Sequence, residues 1–268
     1  MGSGDVYKRQ AQYVLENKNG TLPSKVTISK KKRSLKENLV QAILYLNSVA
    51  LNLKEKRKKE GSVFFNKEEV RFVVNSQGEP VNYKIKEQKQ ANFLIEEFML
   101  LANVLVAKKI KEKNRIAVFR VHDYPDEEKI IELERFAKNL GYYVKLSNVK
   151  NINNAINSLL KQAENNPEKN VIDMMVIRSM SKAKYTTENI GHYGLGFNYY
   201  THFTSPISRW PDVMVHRLLQ RYLDGEKVNN KEVIEAQCKH SSEMEKLSTD
   251  AERSSIKYMQ VKYLVGKE

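Results

Sequence analysis

The chain has 268 residues, of which 46 are lysine or arginine and 32 are aspartate or glutamate, so its formal net charge is +14. Hydrophobic residues make up 41% of it, a globular composition that excludes an intrinsically disordered chain and a membrane protein. An excess of positive charge favours polyanionic partners, because lysine and arginine neutralise phosphates. The alternative is that these charges only solvate helix faces, and composition leaves both open.

The single cysteine, Cys238, excludes an internal disulfide and a cysteine-based metal cluster. We therefore expect a cytoplasmic protein without a disulfide partner. No apolar run reaches the ~20 residues of a membrane-spanning helix, so we expect no membrane contact. Residues 1–10, MGSGDVYKRQ, show no periodicity that joins them to the orderly pattern from Ala11 onward, and we predict that they are a non-native leader.

Hydrophobic periodicity and turn residues predict the elements of the first part of the chain. In chain order these are helices over 11–16 and 35–59, strands over 63–65 and 70–74, a turn over 75–80 that leads to a strand over 81–85, and an apolar helix over 91–107.

The apolar helix carries one carboxylate that its pattern does not explain. The helix is apolar nearly all round and is therefore predicted to be buried, and Asn92, Glu96 and Asn103 fall on one narrow stripe of it at about 100° per residue. Glu97 lies off that stripe, on the apolar side. A carboxylate buried there must be paired or functional, because an isolated buried charge is costly. A salt-bridged structural role and a role in a binding site both stay open.

The second part of the chain is predicted to contain, in order, a strand over 116–121, a helix over 126–140, a strand over 142–146, helices over 151–162 and 171–180, and a Gly-rich, aromatic segment over 183–206. A helix follows with Val213, His216 and Tyr222 on its apolar side, and a last helix runs over 231–264. Asp123, Asp126, Glu127 and Glu128 are close enough in sequence to suggest a metal site. A helix start explains them better, with Asp126 as the N-cap and the glutamates in the first turn. The whole pattern indicates one continuous α/β unit.

Linked motifs occupy the segment 191–217: Gly191-His192-Tyr193-Gly194-Leu195-Gly196, then Tyr200-Thr201-His202-Phe203-Thr204-Ser205-Pro206-Ile207-Ser208-Arg209-Trp210-Pro211-Asp212, then His216-Arg217. Supporting segments keep the same order around them: 95–103, 119–125, 177–185 and 240–253. Together they resemble the ribonuclease II / ribonuclease R (RNB) family of processive 3′→5′ exoribonucleases. The resemblance implies a helix-rich nuclease domain of the α/β (α+β) class with a mixed sheet.

The resemblance also implies metal-assisted hydrolysis of single-stranded RNA to nucleoside monophosphates, with Mg²⁺ held by a cluster of aspartates. In the family that cluster belongs to an upstream motif, whereas the only aspartate before Glu97 in this chain is Asp5. We therefore expect residues 11–268 to be the C-terminal portion of the nuclease domain, without the cold-shock and S1 domains, inactive alone and holding no metal. The alternatives are a fragment that binds RNA without cutting it and a structural protein whose charge is only composition.

The resemblance implies seven substrate-binding residues: Glu97, Tyr200, His202, Thr204, Ser205, Ser208 and Glu252. It implies one catalytic residue, Arg209, although the family's phosphate-binding arginine falls at the position of Ser208. A shift of one residue moves a helical side chain by about 100°, so either Arg209 or the Ser208 hydroxyl is a candidate for that contact.

The chemistry of the motif fits a nucleic-acid ligand. Ser205-Pro206 is predicted to be a helix cap followed by a first-turn proline. The free backbone N–H groups at the start of such a helix suit a phosphate. Nearby aromatic residues offer stacking faces for bases, although about half of them are expected to fill the core: Tyr199, Tyr200, Phe203 and Trp210. The histidines lack metal-ligand spacing, which favours packing and hydrogen bonding for them: His192, His202 and His216.

Overall fold

The structure is a computed structural model that describes residues 3–17, 37–64, 69–86, 88–147 and 152–265. Instead of one continuous unit, it divides into two compact units. The first unit combines Met1–Arg57 with Glu87–Leu101, and the second combines Lys58–Lys86 with Ala102–Glu268. No helix in the described ranges is both long and apolar enough to cross a membrane.

The described part of the first unit is mainly helical. It contains helix α1 (Ser3–Asn17), nearly all of α2 (Glu37–Lys59) and the start of α3 (Gln90–Glu112). Their apolar sides meet in a small core around Leu15, Ala50 and Leu94. Helix α1 begins at Ser3, well before the predicted start at residue 11, and whether residues 1–10 are a leader stays a prediction.

Among the described residues of the second unit, the strands form two antiparallel pairs in place of the predicted mixed sheet. Strands β1 (Glu69–Val74) and β2 (Pro80–Lys86) form a hairpin, and β3 (Phe119–Val121) pairs with β4 (Lys184–Thr186). The predicted hairpin is confirmed, and so is the α+β class. The side chain of Asn75 explains the turn, because it accepts the N–H groups of Gln77 and Glu79 at 3.0 and 2.9 Å.

The predictions of strands over 63–65 and 142–146 are wrong for the residues that the structure describes. Val63 is not in a strand, and its N–H donates to the carbonyl of Gly194 at 3.0 Å; residue 65 lies outside the described ranges. Residues 142–146 are irregular because the Glu134 carboxylate accepts the N–H groups of Leu146 and Ser147 at 2.9 and 2.7 Å. These contacts lower the pKa of Glu134 below its usual value. The predicted strand over 116–121 is shortened to β3.

The remaining helices of the second unit follow the predicted periodicity closely: α4 (Glu127–Asn139), α5 (Ile152–Ala163), α6 (Lys169–Ser179), α7 (Trp210–Leu223) and α8 (Lys231–Leu264). Asp126 caps α4 by accepting the N–H groups of Glu128 and Lys129, so the helix-start interpretation of the acidic group is confirmed.

The second unit has two hydrophobic cores. One joins α4, α5 and α6 around Leu133, Ile156 and Ile172, and the other packs β3 and β4 against α7 and α8 around Val121 and Val215. Cys238 is buried in the second core, where desolvation raises the pKa of its thiol to about 12 and keeps it protonated.

Candidate functional site

The Thr204–Asp212 segment of the motif is organised around a fully buried carboxylate, Asp212, at 0% exposure. Its Oδ1 atom accepts the backbone N–H of Ser205 at 2.8 Å. Arg209 donates to both of its oxygens, from Nε to Oδ2 at 2.8 Å and from Nη2 to Oδ1 at 2.9 Å. A two-point contact of this kind holds the guanidinium plane against the carboxylate.

The predicted helix cap at Ser205 is wrong. The N–H groups of Ser208 and Arg209 both donate to the carbonyl of Ser205 at 3.1 Å, which closes a turn, and α7 begins only at Trp210. Arg209 is thus the residue that precedes the helix, not one turn inside it. The physical reason is Asp212, which ties the Ser205 N–H and the Arg209 side chain to the first turn of α7.

Ser208, which stands where the family has its arginine, is exposed to solvent on this turn. Its hydroxyl donates to the Ser205 carbonyl at 3.3 Å, while Ile207 beside it is fully exposed. Arg209 remains partly exposed, at 31% for its side chain. A guanidinium carries five N–H donors, and two of those in Arg209 bind Asp212. The structure therefore brings Ser205, Ser208 and Arg209 together.

Tyr200 lies beneath this surface, not on it. It is 4% exposed, and its hydroxyl accepts a hydrogen bond from Nδ2 of Asn103 at 3.2 Å. Its ring stacks on Phe197 and meets the rings of His192 and His202 edge-on. Burial raises the pKa of Tyr200, so the hydroxyl stays protonated. Tyr200 fills the core of the motif.

His202 belongs to the same buried layer. Its Nδ1 atom and the Tyr185 hydroxyl share a hydrogen bond of 2.8 Å. Desolvation lowers the pKa of His202 to about 3 and raises that of Tyr185 to about 12, so both groups are neutral at pH 7. A cationic contact between His202 and a phosphate is therefore not available at neutral pH.

Arg120 is a member of this layer that the sequence reasoning missed. Its guanidinium lies 4.6 Å from the centre of the Tyr185 ring and donates to both carboxylate oxygens of Glu245 on α8, at 2.5 and 3.1 Å. The sequence pattern also gives no site role to Asn103, which is 3% exposed and bonds to Tyr200. Asp212 lies within the motif, but no pattern in the neighbouring sequence predicts that its carboxylate is buried.

The other histidines of the motif pack and hydrogen-bond, as predicted for His192 and His216. His216 donates from Nε2 to the carbonyl of Phe203 at 2.8 Å and stacks on its ring. Burial lowers the pKa of His192 to about 3. His122 accepts the Gly194 N–H through Nδ1 at 3.1 Å, and a Cβ at Gly194 would stand 2.8 Å from that atom, so only glycine fits there.

Two further predicted site residues of the second unit, Thr204 and Glu252, have no hydrogen bond or ion pair to the turn among the described residues. The Thr204 hydroxyl is buried and has no hydrogen-bond partner there. Glu252 is exposed on α8. Glu97 belongs to the first unit, where it is 3% exposed and accepts from Nη2 of Arg57 at 2.5 Å. The pairing predicted for a buried Glu97 is present.

The residues that the structure describes do not fit a divalent metal. No group of three His, Cys, Asp or Glu side chains among them is placed to hold one. Carboxylate oxygens are the ligands that Mg²⁺ requires, and those of Asp212 and Glu245 are occupied by guanidinium groups.

The chain belongs to the RNB domain family, because a model of that domain matches residues 8–225. Relatives named ribonuclease R share this sequence pattern: the protein from Aquifex aeolicus is 34% identical over 233 residues, which are 86% of this chain and 33% of the relative. DIS3-like exonuclease 2 from Schizosaccharomyces pombe is 35% identical over 82% of this chain and 25% of its own length. The chain thus spans about a third or less of these curated relatives.

Solved structures show the same fold. RNase R from Mycoplasma genitalium, in complex with ribose-methylated single-stranded RNA, superposes with a TM-score of 0.81 at 23% identity over 96% of this chain and 39% of its own. Yeast Ssd1, described as a pseudonuclease, has a TM-score of 0.59 at 17% identity over 87% of this chain and 27% of its own.

Proposed function

We propose that the chain is the C-terminal portion of the nuclease domain of a 3′→5′ exoribonuclease, and that it contributes RNA-channel and phosphate-binding residues to the hydrolysis of single-stranded RNA. The observation that carries the proposal is the turn that Asp212 holds, which exposes Ser208 and Arg209 in the middle of the RNB motif. Relatives named ribonuclease R and the RNA-bound structural neighbour support RNA as the substrate.

Within this proposal the phosphate contact comes from Arg209 or Ser208. The N–H groups of Arg209 that do not bind Asp212 can donate to a phosphate while the ion pair holds the side chain in place. Ser205 supports the turn through its backbone. We propose that buried Tyr200, His202 and Thr204 shape the surface beneath the RNA, and that Glu97 and Glu252 line the RNA path, as the resemblance implies.

Hydrolysis in this proposal uses Mg²⁺, whose ligands lie outside the described residues. When bound, such a metal activates water and neutralises developing charge. The proposed tasks of this chain are to bind and orient the RNA strand and to place positive charge beside the phosphate.

A second candidate function is binding of RNA without cleavage. It is favoured by one observation, namely that the described residues bring no three metal-ligating side chains together. The two functions differ in whether the chain becomes active when joined to a segment that supplies the acidic cluster.

The purified chain is expected not to release mononucleotides from a labelled single-stranded RNA in Mg²⁺, because its described residues hold no acidic cluster. A full-length ribonuclease R in the same assay is the positive control. Gel analysis of the products over time gives the result. Processive degradation by the purified chain would contradict this expectation and direct attention to Asp123, Asp126 and Glu127.

The affinity of the chain for single-stranded RNA is expected to fall steeply with salt, because lysine and arginine displace counterions from phosphates. Contact with three or four phosphates gives a slope of about −2 to −3 in a plot of log Ka against log salt concentration. Anisotropy of a fluorescent oligoribonucleotide measures it. No binding even at low salt would leave the structural-protein alternative, in which the charge only solvates the surface.

A further inference from the structure

Among the aromatic residues of the motif, Trp210 is exposed, whereas the others are buried or partly buried. Tyr200 is 4% exposed, Tyr199 packs against the core, and the Phe203 ring stacks on His216 with 4.0 Å between ring centres. Trp210 is 48% exposed, although it is the first residue of α7. Its indole is therefore the large aromatic surface that this segment offers to a ligand.

A cation lies against this indole. The Arg217 guanidinium is 5.1 Å from the centre of the Trp210 ring. The two residues are seven positions apart, two turns of α7, so they stand on the same side of the helix. Arg217 is itself exposed. A guanidinium that covers a ring with its face keeps its N–H groups directed outward in its own plane, where they can donate to a phosphate.

The buried carboxylate holds the backbone that carries the ring. Asp212 is fully buried in the first turn of α7, next to Pro211, and it binds Arg209 immediately before the tryptophan. The backbone on both sides of Trp210 is thus held, Trp210 directly follows the turn that exposes Ser208, and its ring is held by the contact with Arg217. A ring that is held in advance loses little conformational freedom when a ligand stacks on it.

We propose that Trp210 and Arg217 form a stacking site for an unpaired base of single-stranded RNA, with the base against the indole and the guanidinium donating to a neighbouring phosphate. Every base has a π face, so the site tolerates any sequence, as a degradative nuclease requires. This inference rests on the proposed function, since that function makes RNA the ligand.

Trp210 is the only tryptophan of the chain, so intrinsic tryptophan fluorescence reports on this site alone. Titration with an oligoadenylate is expected to quench the emission in parallel with the anisotropy of a labelled copy of the same RNA. Replacement Trp210→Leu is expected to weaken RNA binding about tenfold, within the range measured for loss of one stacking contact. Trp210→Tyr keeps an aromatic face and is expected to retain most of the affinity.

An abasic ribose-phosphate oligomer separates stacking from charge. Wild type and Trp210→Leu are expected to bind it equally, whereas Arg217→Met weakens binding of both oligomers. Tyr143→Leu removes another exposed ring of the same unit, 80% exposed, and is expected to leave RNA affinity unchanged. Circular dichroism of each variant checks that it is folded.

Two failures are distinguishable in this experiment. RNA binding with unchanged tryptophan emission, together with an unchanged affinity of Trp210→Leu, overturns the stacking site and leaves the proposed function standing. No anisotropy change with wild type at low salt overturns the proposed function and the stacking site with it.

Discussion

Replacing Arg209 by alanine is expected to lower the free energy of unfolding of the chain by about 2–3 kcal/mol. The change leaves the Asp212 carboxylate fully buried, with the Ser205 N–H as the one remaining donor among the described residues. Removing one partner of a buried pair costs about 3–5 kcal/mol, and the partly exposed guanidinium, at 31%, justifies a lower figure. Urea unfolding followed by tryptophan emission measures the loss, since the only tryptophan, Trp210, is the next residue.

The matched control is Arg221→Ala on the same helix. Arg221 pairs with Glu226 on the surface, with both side chains about half exposed, so its removal is expected to cost no more than about 0.5 kcal/mol. Adding Asp212→Asn to Arg209→Ala is expected to recover part of the loss, because an amide keeps an acceptor for Ser205 without a buried charge. Equal losses for the Arg209 and Arg221 variants would show that the pair does not hold the turn.

This result bears on how activity data are interpreted. A loss of turnover in Arg209→Ala, measured in a reconstituted nuclease, combines a lost phosphate contact with a disordered turn. Ser208→Ala separates the two, because the Ser208 hydroxyl makes only a 3.3 Å bond at an exposed position. Low turnover in a Ser208→Ala variant of unchanged stability would assign the phosphate to the serine.

Glu97→Ala is expected to destabilise the chain by about 3 kcal/mol, because it removes the carboxylate that pairs with the buried Arg57 guanidinium. Glu97→Gln keeps the shape and an acceptor oxygen and is expected to cost about half as much. Thermal and urea unfolding of the purified variants give both values.

The control for Glu97 is Glu112→Ala on the same helix. Glu112 faces Lys108 at 3.9 Å on the surface, so its loss is expected to change stability by less than about 0.5 kcal/mol. Similar stabilities for the Glu97 and Glu112 variants would contradict a structural role of the buried pair. A weaker RNA affinity of Glu97→Gln at unchanged stability would instead support the role in the RNA path that the resemblance implies.

Local signals in the sequence determined the helices and the family. The periodicity over 231–264, the Asp126 cap and the turn at Asn75 each depend on residues a few positions apart, and the structure has all three. The RNB motif is likewise a matter of residue order, and the family match confirms it. Short-range patterns of this kind can be interpreted without knowing what packs against them.

Which polar and aromatic side chains are buried was decided only by tertiary contacts. Asn103 lies on a polar stripe in the sequence, yet it is buried because it bonds to Tyr200, 97 positions later. Residues 142–146 have a strand pattern, but the Glu134 carboxylate accepts the N–H groups of Leu146 and Ser147 at the end of this segment. Asp212 moves the start of α7 to Trp210 and leaves that indole exposed, while Tyr200 is covered. Burial depends on partners far away in the chain, and no local pattern encodes them.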